Sequence, residues 1–119
     1  MASLAPKTMR AMVLHHIGDE LCLEQLPCPV PGINQVQIRV EACGVCRTDV
    51  HLIDGELPNP VLPIIPGHEI IGHISALGPG VTNLTVNQRV GVPWLGWTCG
   101  KCGFCSSGRE RQKNVLNRL

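Results

Sequence analysis

The chain has 119 residues, 44% of them hydrophobic, which suits one globular domain and excludes a wholly disordered segment. Ten Lys and Arg residues against nine acids leave a net charge of +1 with the cations scattered, so the basic face that nucleic acid or an anionic membrane requires is not there. No apolar run approaches the ~20 residues that span a bilayer, and the opening MASLAPKTMR lacks the apolar stretch of a secretory signal. Seven cysteines, an odd number, then point to reduced thiols and metal ligation in the cytoplasm rather than to disulfides.

In chain order, residues 1–9 form a lead-in. Residues 10–17 (RAMVLHHI) predict a strand, and residues 21–26 (LCLEQL) a second. PCPVPG at 27–32 is a connection, since proline lacks the amide a strand ladder needs. Residues 35–42 (QVQIRVEA) alternate, which predicts a half-buried strand with Val36, Ile38 and Val40 on the inner face. Residues 46–53 (CRTDVHLI) predict a short helix ended by Gly55, and a proline-rich loop follows. Residues 69–77 (EIIGHISAL) predict a strand whose internal Gly72 signals a bulge or a close backbone approach. Residues 89–93 predict a short strand, and a cysteine loop closes the pattern. Many short strands with little helix predict a mostly β barrel or sandwich.

Two groups of residues carry metal chemistry. Cys46 and His68, with Glu69 beside them, offer a thiolate, an imidazole and a carboxylate, donors that suit zinc. On a helix over 46–53, Asp49 shares a face with Cys46 and could orient a metal-bound imidazole. Cys99, Cys102 and Cys105 stand at a strict spacing of three in CGKCGFC, three donors where a closed zinc site wants four. Cys43 and Cys46 have the spacing of a redox pair, yet no βαβ pattern surrounds them. Cys22, Cys28 and Cys43 read as small packing residues, and at least one of His15 and His16 as solvent-facing.

GHEIIGHISALGPGV at 67–81 resembles the signature of the zinc-containing alcohol dehydrogenases of the medium-chain dehydrogenase superfamily, with Gly67, His68, Glu69, Gly72, Gly78 and Val81 in register. CGVCRTDVH at 43–51 is similar to that family's first zinc-ligand segment, and CGKCGFC to its structural-zinc lobe. The three motifs stand in the family's order and cover roughly residues 9–110. The resemblance implies a co-chaperonin-like (GroES-like) β-barrel over 10–110, with short helices and a cysteine-rich zinc lobe at 94–110. It implies that Cys46 and His68 hold a catalytic Zn2+, that Glu69 can approach it, and that Asp49 holds His68. It also implies that Thr48 takes the alcohol's proton, that His51 passes it to solvent, and that Arg47 meets the pyrophosphate of NAD or NADP. By the same likeness, Trp94 and Leu57 line the pocket of a small alcohol or aldehyde, and Cys99, Cys102 and Cys105 hold a structural zinc. Members of the family are usually dimers or tetramers.

The chain departs from the family in three respects. Lys113 stands where the fourth structural cysteine is expected. The third catalytic ligand and the dinucleotide-binding Rossmann domain would both lie beyond residue 119, so the Rossmann domain is absent from this sequence. Residues 111–119 form a divergent tail, expected to reflect a shifted or prematurely ended reading frame, with a genuine divergent end as the alternative. A smaller departure is Asn87-Gln88-Arg89-Val90 in place of the family's Gly-Asp-Arg-Val, which is expected to weaken a local turn or an ion pair. The expected product is thus a truncated portion of an alcohol dehydrogenase, inactive alone. The alternatives are a non-enzymatic zinc-binding β-domain or interaction module, and, far behind, a nucleic-acid-binding zinc ribbon.

Overall fold

The computed structural model describes residues 8–109. Strands β1 (Thr8–Val13) and β2 (Cys22–Pro27) pair antiparallel, from Thr8 opposite Pro27 to Val13 opposite Cys22. Burial in β1 follows the two-residue period of a half-covered strand: Ala11 and Val13 are buried, Arg10 and Met12 exposed. The predicted first strand is two residues too late at its start and four too long at its end. Leu14 leaves the ladder to exchange both backbone hydrogen bonds with Ile64, at 2.8 and 3.0 Å. His15 and His16 are both exposed, and a turn follows in which Asp19 donates its amide to the His16 carbonyl and Gly18 donates to Ile53. No apolar residue at 15 or 16 gives the strand a face to bury, so the chain turns there.

The second sheet holds β3 (Val36–Gly44), β4 (Glu69–Leu77) and β5 (Arg89–Val92), all antiparallel, with β4 in the middle. Helix α1 (Arg47–Ile53) and the proline-rich loop join β3 to β4. A one-turn helix, α2 (Gly103–Ser106), lies inside the cysteine loop. That helix is not predicted from the sequence, because four residues show no helical period. Among the described residues the strands make two open sheets in place of one closed barrel, and an isolated bridge ties Leu14, just past β1, to Ile64 in the proline-rich loop; the architecture is mostly β as expected.

Gly72 meets both parts of its expectation. The register slips between Val40 and Ala42, which leaves Glu41 as an extra residue on β3 directly beside the Val40–Gly72 pair. A side chain at Gly72 would also place its first carbon 2.2 Å from the Arg39 carbonyl oxygen, so only glycine fits. Glu41 and His73 pair across the bulge at 2.6 Å. The bulge overturns part of the alternation predicted for β3: Val36 and Ile38 are half-buried, but Val40 is 55% exposed because the strand bends at its side. Cys22 and Cys43 are likewise exposed rather than packed inside, and the Cys43 sulfur lies close to Gly67.

The turn at 87–88, where the sequence departs from the family pattern, is formed. Asn87 takes the left-handed conformation, φ 68°, a region that asparagine tolerates better than most residues. Its amide donates to Ile74, and Ile74 in turn donates to Gln88. The Gln88 side-chain oxygen accepts the Thr85 amide at 3.1 Å, the service a carboxylate would otherwise give. These bonds anchor Ile74, which with Leu14 is wholly buried. The rest of the core is small, while Val30, Ile33, Val45 and Val61 lie open on the surface. Among the described residues no helix is long and apolar enough to cross a membrane.

Candidate metal centres

The first centre is assembled where β3 ends, α1 begins and β4 begins. Gly44 pairs with Glu69 at the last rung of the β3–β4 ladder, so the chain leaving β3 reaches Cys46 close to the strand that opens with Glu69. Cys46 is the N-cap of α1, with extended backbone ahead of the first turn. The thiol, imidazole and carboxylate of Cys46, His68 and Glu69 converge, with one donor atom from each lying within 4.8 Å of the others. These are the three residues that the sequence brings forward as donors.

Asp49 ties this arrangement together. It is buried, at 8% exposure, on the inner face of α1. Its Oδ2 accepts the Cys46 amide at 3.0 Å, which is the reciprocal half of a capping box. Its Oδ1 accepts the Gly67 amide at 3.1 Å and lies 3.2 Å from His68 Nδ1. One carboxylate therefore fixes the helix start, the loop before β4 and the imidazole. With Nδ1 directed at Asp49, the His68 lone pair sits on Nε2. Gly67 makes the approach possible: its φ of 114° is left to glycine, and a side chain there would strike the Cys43 sulfur at 2.5 Å.

The electrostatics match a cation site. The Thr48 backbone amide, one of the unpaired amides of the first helical turn, lowers the Cys46 thiol below its ordinary value. His68 and the Thr48 hydroxyl, 3.7 Å from the sulfur, lower it further. His68 is raised above its ordinary value, first by its hydrogen bond with Cys46 and then by the charge of Asp49, against the opposing effect of burial. Without metal the pair thus leans toward thiolate and imidazolium, and a divalent cation would take the place of the proton. A thiolate, an imidazole and a nearby carboxylate fit zinc by type and spacing.

Arg47, Thr48 and His51 lie on the same short helix. Thr48 and His51 are three residues apart and share a face. His51 Nδ1 is paired with Glu56, whose own amide donates to the His51 carbonyl at 2.9 Å. Glu56 was not singled out from the sequence; it lies five residues from His51 across Gly55, a separation no helical pattern marks. Leu57, next along, is half-buried. Trp94 stands two residues past Val92, which pairs with Ile70, so the β4–β5 register carries it toward the His68 end; it is 51% exposed.

The second centre is the cysteine loop. Cys102 is the N-cap of α2, and Cys105 lies in its single turn. The Sγ atoms of Cys102 and Cys105 are 3.4 Å apart, those of Cys99 and Cys105 3.7 Å, and all three lie within 4.8 Å. Three sulfurs at one zinc, about 2.3 Å from the metal in tetrahedral directions, would stand about 3.8 Å apart, so one ion can touch all three. Among the described residues the cluster holds three sulfurs, Cys99, Cys102 and Cys105. Lys113 and the tail from 111 lie outside the described residues.

Residues 32–118 match the family profile of the alcohol dehydrogenase GroES-like domain. An alcohol dehydrogenase of Geobacillus stearothermophilus is 45% identical over 112 residues, 90% of this chain and 33% of that relative. The fold is similar to that of a cinnamyl alcohol dehydrogenase from Sorghum bicolor, with TM-score 0.79 and 33% identity over 89% of this chain and 30% of the other. It is also similar to a zinc-binding dehydrogenase from Sinorhizobium meliloti 1021 solved with NADP, with TM-score 0.74 and 29% identity over 92% of this chain and 31% of the other. The chain belongs to the alcohol dehydrogenase family through its GroES-like domain. It spans about a third of the length of these relatives.

Proposed function

We propose that this chain carries an N-terminal, substrate-side portion of a zinc-dependent alcohol dehydrogenase, which converts a primary or small secondary alcohol to an aldehyde or ketone. The observation that supports it is the convergence of Cys46, His68 and Glu69, with Asp49 holding both the Cys46 amide and His68. In this reading residues 10–110 are the catalytic domain and 94–110 its cysteine lobe. Cys46 and His68 hold Zn2+ with Glu69 beside it. Zinc would supply Lewis acidity and NAD or NADP the hydride acceptor.

The chain's own residues then have separable tasks. Asp49 keeps the imidazole of His68 in the tautomer that presents Nε2. Thr48, exposed on the first turn of α1, offers its hydroxyl to the alcohol proton. His51, on the same face, passes that proton outward through Nε2, since Nδ1 is engaged by Glu56. A positioned acid–base relay of this kind contributes about 10²–10⁴ in rate. Arg47, exposed at the first helical position, is placed for the cofactor pyrophosphate. Trp94 and Leu57 are apolar walls for a small substrate.

The test is a chimera in which residues 1–109 replace the matching third of the Geobacillus stearothermophilus relative. Alcohol-dependent reduction of NAD or NADP is expected, and its loss in Cys46→Ser and His68→Ala together with one zinc per chain. Full zinc content with no turnover in the unmutated chimera would favour the non-enzymatic zinc-binding domain. Near-normal turnover in either variant would remove the catalytic-zinc assignment.

A further inference from the structure

Gly44 supplies no donor and takes no part in the relay, yet it stands at the end of β3 between the sheet and Cys46. Its backbone lies outside the left-handed region, so conformation does not call for glycine there. Space does. Gly44 is directly opposite Glu69 in the β3–β4 ladder, and opposite residues send their side chains to the same face. A first side-chain carbon at 44 would come 2.7 Å from Glu69 Oε2 and 3.3 Å from Glu69 Cβ. The Glu69 side chain thus folds over the bare end of β3, on the path to Cys46. Among the described residues no hydrogen bond or ion pair holds its carboxylate.

We propose that Gly44 is the positioning residue for Glu69: by leaving the strand end bare it lets the carboxylate lie beside Cys46 and His68, and so decides whether a bound divalent cation meets an oxygen donor there. The inference rests on the reading of those three residues as a metal centre.

The steric effect is confined to the carboxylate. A contact of 2.7 Å is far inside the roughly 3.5 Å at which unbonded atoms rest. The atom struck is the free end of an exposed, flexible side chain, so a methyl group at 44 would turn it aside and leave the ladder standing. At Gly72 the methyl would instead strike the Arg39 backbone carbonyl, which cannot turn away. With the carboxylate aside, the centre keeps the sulfur of Cys46 and the imidazole of His68 but loses its hard oxygen neighbour.

The test is cadmium-113 NMR of the reduced 119-residue chain. Cadmium takes zinc-type donors, and its resonance moves with the number of sulfurs, which separates this centre from the three-sulfur cysteine loop. Gly44→Ala should shift the sulfur-poor resonance and leave the sulfur-rich one in place. It should also weaken cadmium at the first centre by about tenfold in chelator competition, the lower end for a ligand that loses its positioning. In a Glu69→Ala background Gly44→Ala should do neither, because no carboxylate is left to turn. In the metal-free parent, close proton contacts between Gly44 Hα and the Glu69 side chain are expected, and they keep the test valid if Gly44→Ala does not fold. Absence of those contacts would overturn the proposal. So would an equal effect of Gly44→Ala with and without Glu69, or movement of both resonances together. A parent chain with no sulfur-poor resonance would overturn the metal-centre reading and this proposal with it; a resonance that Gly44→Ala leaves in place would overturn this proposal alone.

Discussion

Replacing Asp49 is the most demanding perturbation of the first centre, because its carboxylate serves three partners at once. In Asp49→Ala the Cys46 and Gly67 amides both lose their acceptor, at 3.0 and 3.1 Å, in a place with little access to water. Each unsatisfied buried amide costs about 1–3 kcal/mol, so a loss of about 2–6 kcal/mol is expected as an upper range for these part-buried groups. Asp49→Asn keeps the shape but has one acceptor oxygen where two amides need one each. Its loss should be smaller, about 1–3 kcal/mol. The two roles of the residue separate in two assays. Urea unfolding of the metal-free chain reports the amide anchoring, and competition against a chromophoric chelator reports zinc affinity. Loss of the partner that orients a ligating imidazole weakens metal binding by about 10–100-fold. Asp49→Asn should therefore depress zinc affinity by at least the lower figure even where its stability cost is modest. Unfolding of Asp49→Ala within about 0.5 kcal/mol of the parent, with zinc affinity within about twofold, would refute the assignment of this carboxylate as the keystone.

Zinc affinity at the first centre should fall as pH falls, because His68 is raised above its ordinary value and zinc must displace its proton, while Cys46 is lowered and yields its proton more readily. In the metal-free chain the signs divide: the His68 contribution to stability is present at low pH and lost as pH rises through its raised folded value, and that of Cys46 is present at high pH and lost as pH falls through its lowered one. Chelator competition and unfolding across the neutral range check both. Glu56→Gln should leave zinc affinity unchanged but shift His51 toward an even mixture of ring tautomers, read from nitrogen-15 imidazole shifts; an unchanged tautomer would show that Glu56 does not orient the relay. Asn87→Gly should stabilise the chain by a few tenths to about 1 kcal/mol by relieving the left-handed φ of 68°, and Asn87→Val should destabilise it by about 1–2 kcal/mol.

The strands of the second sheet were legible because their apolar residues alternate over enough positions to set a period, as in 35–42 and 69–77. Helix α1 was legible from its length and from Gly55 after it. What escaped lay where local pattern and tertiary contact disagree. His15 and His16 continue a β-prone run, yet the backbone bonds between Leu14 and Ile64 end the strand. Val40 keeps the alternation in the sequence, but the bulge at Glu41 turns that end of β3 into the open. Helix α2 exists through its cap and the cysteines around it, neither of which produces periodicity.

The candidate site divides in the same way. Its donors could be named from the sequence because chemistry restricts which side chains bind zinc, and the motifs repeat a known spacing. What holds the donors in place could not, since it depends on backbone amides and loop closure. The Gly67 amide and the Glu56 carboxylate carry no signature of their own, and both act through the fold around α1. This has a consequence for how the centre fails. Few residues are fully buried, so the sheet itself offers little to keep Cys46 near His68. The connection passes through Asp49, which bridges the helix start to the entry of β4 by two hydrogen bonds and one ion pair. Metal binding and local order should therefore rise and fall together in this chain, with zinc adding the link between α1 and β4 that the small core does not supply.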